Sequence, residues 1–187
     1  MYQTIEVKVK GVCPMLQHNG QMADPLSPIA KEMKKISGKR KKTDEDFADM
    51  AKIEWTGGLY LDEKGRVGVP GECIEAMFLA AAKSLRLGKQ AQCGILSDGF
   101  WLLEYDGPKN VEALWADGRF RDMRGVRIQR NRIIRCRPIF RNWGLTFKVS
   151  YEPTQIDKAQ VLEIVQIAGR TVGIGDYRPK YGRFEIE

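Results

Sequence analysis

Histidine is almost missing from this chain, with His18 alone among 187 residues. The four cysteines, Cys13, Cys73, Cys93 and Cys136, lie far apart and form no C-x-x-C pair. Those two shortages exclude the usual zinc layouts, so no metal is expected and no cofactor either. Scattered cysteines of this kind fit reduced thiols in a cytoplasmic protein. No apolar run reaches the length of a membrane span, and the start, Met-Tyr-Gln-Thr-Ile-Glu, lacks the layout of a signal peptide. No membrane partner is expected. A GxxxxGK phosphate loop and a Ser-His-Asp set are also absent, which removes the most recognisable nucleotide-hydrolysing and acyl-transfer chemistries.

Acids are in short supply where they would matter. The whole chain carries 31 Lys+Arg against 24 Asp+Glu, a formal charge of +7. Such a balance favours an anionic partner, with nucleic acid ahead of an acidic membrane surface. The excess is concentrated: residues 119–141 hold nine arginines (119, 121, 124, 127, 130, 132, 135, 137 and 141) and one acid, Asp122. Crowded guanidinium groups repel one another, and an anionic polymer would relieve that repulsion. Arg127, Arg130, Arg132, Arg135 and Arg137 are therefore candidate nucleic-acid contacts, on a hairpin reversing near Arg130-Asn131. The structural alternative is a solvated hairpin whose arginines pair with acids elsewhere.

At 187 residues the chain reads as one domain, 1–187, with 43% hydrophobic residues to build a core. Residues 2–12 alternate, with Ile5, Val7 and Val9 on one face and Glu6, Lys8 and Lys10 on the other, which predicts a half-buried strand. Residues 13–52 break that pattern. Pro14, Pro25 and Pro28 point to loop, followed by a basic run that includes Lys39, Arg40, Lys41 and Lys42. Thr43 then caps a short helix over about 44–52. The stretch reads as an insertion after the first strand, and its basic run is a further candidate for phosphate contact, against the plainer reading of a solvated face.

Residues 53–69 look like a hairpin turning at 62–65. A helix over about 72–86 follows, with Ile74, Met77, Phe78, Ala81, Ala82 and Leu85 in one apolar stripe. Strand material runs from 94 to 105. Leu145, Phe147 and Val149 alternate with Thr146, Lys148 and Ser150 in another strand, 143–151. Asp157 opens a last helix that Gly169 ends. Beyond it lies Gly173-Ile-Gly-Asp-Tyr-Arg-Pro-Lys-Tyr-Gly-Arg183, then a short closing strand. Glycines there permit positive φ, and successive backbone N–H groups in such a loop can form an anion-binding nest. The Gly-Ile-Gly is no dinucleotide fingerprint, because no helix follows it.

Without the insertion and hairpins, the order is strand, helix, strand, strand, helix, strand. This is an α+β arrangement, the β-α-β-β-α-β order of the ferredoxin-like or RRM-like fold. A glycine-rich loop between the second helix and fourth strand resembles that of the RAMP superfamily of RNA-binding proteins, carried here by Gly173-Ile-Gly175 and Tyr181-Gly182-Arg-Phe184. Val69-Pro70-Gly71, leading into the first helix, is similar to a Pro-Gly step in the backbone subunits of CRISPR effectors, and the arginine hairpin occupies the slot of their protruding thumb. Two features depart from the pattern: Phe184 stands where the loop usually closes on a glycine, and small polar residues do not follow Pro70-Gly71.

The resemblance implies a non-catalytic subunit that binds single-stranded nucleic acid, RNA ahead of DNA. It would oligomerise along the strand as a homo-oligomer or within a ribonucleoprotein complex. Gly173, Gly175, Arg178, Lys180, Gly182 and Arg183 would form the strand-binding loop, with Tyr177, Tyr181 or Trp143 available to stack on bases. Two other readings stand beside it: a phage- or plasmid-type single-stranded DNA-binding or annealing protein, and a nuclease of the same scaffold. For the nuclease the only candidates are Asp24, which reads more simply as a turn residue before Pro25, and His18.

Overall fold

A computed structural model describes residues 1–128 and 131–187, with side chains throughout except at 128, 131 and 132, and the described residues hold nine strands and six α-helices. In chain order they are β1 (Gln3–Gly11), β2 (Met15–Leu16), α1 (Pro28–Ser37), α2 (Asp44–Gly58), β3 (Gly68–Pro70), α3 (Gly71–Ser84), α4 (Gly88–Gly94), β4 (Ile95–Leu96), β5 (Phe100–Tyr105), α5 (Val111–Ala116), β6 (Arg121–Ile128), β7 (Asn131–Phe140), β8 (Trp143–Tyr151), α6 (Lys158–Ile167) and β9 (Phe184–Ile186). The protein is a mixed α+β structure with antiparallel sheets. Its chain divides into two units: residues 1–16, 61–106 and 140–187 form the first, and residues 17–60 and 107–139 the second.

The first unit is built on an antiparallel sheet in the order β3-β5-β8-β1-β9, with β4 also paired to β8. Alternation decides its faces. Val7 and Val9 of β1 and Leu145, Phe147 and Val149 of β8 are buried, while Glu6, Lys8, Lys10 and Lys148 point the other way and are exposed. Register places Val7 opposite Phe147 and Val9 opposite Leu145, so both apolar sets fall on one side. Helices α3 and α6 pack together, and Phe78 of α3 meets Phe147 edge-on at 6.5 Å. The apolar stripe predicted for α3 is the buried one, with Ile74, Met77, Phe78, Ala81 and Ala82 nearly inaccessible. On α6, Val161, Ile164 and Val165 are buried in the same way.

Several local expectations change. Residues 28–37, from the last proline of the expected loop into the basic run, are helical: Pro28 occupies the first helical turn, where no N–H is needed, and Ser27 caps it by accepting the Ala30 N–H. Helix α2 continues six residues beyond the expected end, to Gly58, so the first arm of the hairpin predicted over 53–69 is helix. Gly57 and Gly58, inside the helix, are packing positions. A Cβ at Gly57 would stand 2.9 Å from Ile29, and one at Gly58 2.9 Å from Pro138. Of that hairpin only the turn survives, bridged Leu61 to Val67, with Gly65 at φ +72. The stretch 94–105 is broken into the end of α4, β4 and β5. Gly169 does not end the last helix either, because a π-helical turn carries on through Val172. That glycine is there for contact: a Cβ would lie 2.3 Å from the Phe184 carbonyl oxygen.

The second unit joins α1 and α2 to α5 and the β6–β7 hairpin. Trp55 of α2 is buried, donates its indole N–H to the Phe120 carbonyl at 2.8 Å, and meets Trp115 edge-on at 5.3 Å. The hairpin pairs Arg121 with Pro138 through to Ile128 with Asn131; the reversal expected near Arg130-Asn131 falls in part outside the described residues.

Candidate nucleic-acid interface

The loop after α6 is shaped by its own backbone. Gly173, Gly175 and Gly182 all have positive φ, at +80°, +89° and +75°. Each also lies against main chain, where a Cβ would stand 2.7 Å from the Tyr181 oxygen, 2.3 Å from the Leu16 oxygen and 1.7 Å from the Ile174 oxygen respectively. The N–H groups of Gly173, Ile174, Asp176 and Gly182 donate to the carbonyls of Ala168, Gly182, Leu16 and Pro14, each at 2.8 Å. Those four donors are committed inside the fold. An anion nest built from them is thus ruled out, and the glycines serve close packing.

What the loop presents is side chains. Arg178, Lys180 and Arg183 are exposed, as is half of Tyr177. The Arg178 guanidinium reaches its own loop, donating to the Gly173 carbonyl at 3.4 Å. Beneath the loop the Cys13 thiol donates to the Lys180 carbonyl at 3.6 Å and accepts the Arg183 N–H at 3.2 Å. Thr171, Val172, Gly175, Asp176, Tyr177, Arg178 and Pro179 line an open depression of about 460 Å³. Of these, Thr171, Val172, Asp176 and Pro179 carry no signal in the sequence. Only the fold of the loop back over the end of the π-helical turn brings them together. Trp143 is unavailable for stacking, being 4% exposed with its indole N–H donated to the Cys13 carbonyl at 2.8 Å.

On the hairpin, charges at the root are partly neutralised within the second unit. Arg119 is held by Asp117 at 2.7 Å, and that bond keeps the Asp117 carboxyl below the usual carboxylate range. Arg124 pairs with Asp122. Arg135 pairs at 2.7 Å with buried Glu54, whose other oxygen accepts the Cys136 N–H at 3.0 Å. Arg121 lies over the Trp115 ring at 4.7 Å. Pairing with acids is the structural alternative for this hairpin, and it holds for Arg119, Arg124 and Arg135. Toward the tip Arg127 is exposed; Arg137, opposite Asp122 near the root, is half-buried. Arg130 and the side chain of Arg132 lie outside the described residues. Nothing in sequence spacing marks Glu54 as the anchor, since 81 residues separate it from Arg135.

In the basic run, Lys39 bonds the Asp46 carboxylate at 2.5 Å and Lys42 donates to the Lys39 carbonyl at 3.0 Å, so both help to close the start of α2. Arg40 and Lys41 are exposed. The open sheet face in the first unit mixes signs: Lys8 pairs with Glu187 at 2.6 Å, and Glu104 accepts from Thr146 at 3.3 Å.

Asp24 has a structural task, accepting the Leu26 N–H at 2.8 Å in an Asx turn before α1. His18 is exposed, and its carbonyl accepts from the Tyr60 hydroxyl at 3.2 Å. Among the described residues no group of three His, Cys, Asp or Glu is placed to hold a metal ion. Burial pushes the Cys136 thiol up to about 11, so it stays protonated and is a poor nucleophile. No helix among the described residues is long and apolar enough to cross a membrane.

No protein-family model matches the chain, and no curated protein matches it. Solved structures do, among them a chain in the cryo-EM structure of the Type III-B Cmr-beta bound to cognate target RNA, with a TM-score of 0.51 and 11% sequence identity. That match takes in all of this chain but 59% of the other. The likeness is one of fold.

Proposed function

We propose that this protein is a non-catalytic, single-stranded RNA-binding subunit of a CRISPR-type effector ribonucleoprotein, with a RAMP-like, ferredoxin-like core. One observation carries the reading: the fold is shared with a chain of an RNA-bound Cmr-beta structure. The sheet order β5-β8-β1-β9, with α3 and α6 packed together, supports the ferredoxin-like assignment. Exposed Arg178, Lys180 and Arg183 on the loop before β9 supply cations for phosphates, and exposed Arg127 on the hairpin adds another, with Arg130 and Arg132 next to it in sequence as further candidates, while Arg135 stays with Glu54. Arg40 and Lys41 in the basic run add to that charge, while Lys39 and Lys42 stay with α2. Gly173, Gly175 and Gly182 act by holding the loop in shape. Copies of the chain would line up along one strand, each covering a few nucleotides.

Fluorescence anisotropy with labelled single-stranded RNA, single-stranded DNA and duplex RNA over a salt series tests this. The expected result is tightest binding to single-stranded RNA, weakening steeply with salt. Replacing Arg178 and Lys180 together by glutamine should lower the salt slope by about one for each phosphate that is no longer neutralised. No binding to single-stranded RNA at low salt would end the proposal. Preference for DNA would favour the single-stranded DNA-binding reading instead. RNA cleavage abolished by Asp24→Ala or His18→Ala would move the protein to the nucleases.

A further inference from the structure

Tyr177 stands at two disadvantages. Its φ of +56° lies in the left-handed region, where an L side chain crowds its own backbone, and glycine would occupy the position without that cost. The residue is also 50% exposed, on the lip of the depression formed with Thr171, Val172, Arg178 and Pro179. Strained backbone together with a half-exposed aromatic residue is a combination that clusters at ligand-contacting sites.

Its neighbours indicate what kind of ligand. The Tyr181 ring lies 5.8 Å away, inclined by 40°, and the Lys180 ammonium sits 5.8 Å above Tyr181. Arg178 follows Tyr177 directly and is exposed. A flat apolar surface flanked by two cations matches one nucleotide unit: a planar base with a phosphate on either side.

We propose that Tyr177 is the platform on which one unpaired base of the bound strand stacks, seated at the edge of the depression, with Arg178 and Lys180 holding the flanking phosphates. The inference rests on the RNA-binding reading above and adds a base-contacting residue to it. Every base has a π-face, so the site accepts all four. A base inside a duplex is already stacked on both sides, so the same contact selects single strands over double strands.

The test uses the full chain and an oligoadenylate of about ten nucleotides, intact or with abasic sites, in a double-mutant cycle. Tyr177→Phe should bind intact RNA as wild type does. Tyr177→Gly fits the backbone without strain and should fold with a thermal midpoint close to wild type. It should lose about five- to 160-fold in affinity for intact RNA, the range of one base-aromatic stack. Its salt slope should not change, because no charge is removed. Abasic RNA should bind wild type and Tyr177→Gly equally weakly. Should Tyr177→Gly bind intact RNA as tightly as wild type, or should the change from intact to abasic RNA weaken both proteins by the same factor, the platform is overturned while the RNA-binding reading stands. If wild type binds no RNA at all, both fall.

Discussion

Gly182 and Gly65 separate two costs that are usually confounded. Both have positive φ, +75° and +72°, so alanine at either incurs the left-handed penalty of about 1 kcal/mol. Only Gly182 has a neighbour. An added Cβ there would stand 1.7 Å from the Ile174 carbonyl oxygen, whereas Gly65 has nothing within 4 Å. The Ile174 oxygen cannot yield as a flexible side chain would, so the two strands of the loop must part. Parting them breaks the Ile174 N–H to Gly182 carbonyl bond and the Gly182 N–H to Pro14 carbonyl bond, both 2.8 Å long. At about 1 kcal/mol for each bond, Gly182→Ala should cost at least about 3 kcal/mol, against about 1 for Gly65→Ala. Urea unfolding followed by circular dichroism reads the difference. Hydrogen exchange should also quicken in peptides covering residues 173–183 for the Gly182 variant alone. Equal losses at the two sites would refute the claim that close main-chain packing, over and above conformation, is why the loop carries its glycine.

Two further outcomes follow from buried or capping acids. Glu54→Ala should cost about 2–3 kcal/mol, because it strands the Arg135 guanidinium and the Cys136 N–H together, and exchange should speed up across β7; an unchanged thermal midpoint would show that the hairpin root is anchored elsewhere. Asp46 is held below the ordinary carboxylate value by the Lys39 side chain first and then by the Thr43 backbone N–H. Its folded value being depressed, the stability it contributes is present above about pH 4 and lost as pH falls through the folded value. Acid titration monitored by helix content should show that loss, and Asp46→Asn, which keeps an acceptor for the cap, should remove it.

Strands β1 and β8 announce themselves in the sequence because alternation is a local property: Val7 and Val9, or Leu145 and Phe147, need only a two-residue period to share a face. The stripe on α3 is equally local. Helix α2 is harder to bound, since residues 53–69 read as a hairpin and suggest an end near residue 52, yet the helix runs on through Gly57 and Gly58. Their tolerance depends on Ile29 and Pro138, far away in sequence. Pro28 misleads in the same way, since a proline breaks a helix interior but suits a first turn, and Ser27 decides which.

Composition and period alone determined that the chain is α+β, that β1, β8, α3 and α6 exist, that positive charge gathers at 119–141, and that the common zinc and nucleotide-hydrolysing layouts are missing. Tertiary structure decided how the parts are used. It committed the loop N–H groups to Ala168, Gly182, Leu16 and Pro14, leaving side chains to do any binding, and it neutralised Arg135 with Glu54. It also set Tyr177 on the rim of a depression whose walls come from two sides of a loop. Periodicity and charge are sums over neighbours in sequence, so they survive in a one-dimensional reading. Hydrogen-bond commitment and close approach depend on which distant atoms meet, and only the folded chain brings them together.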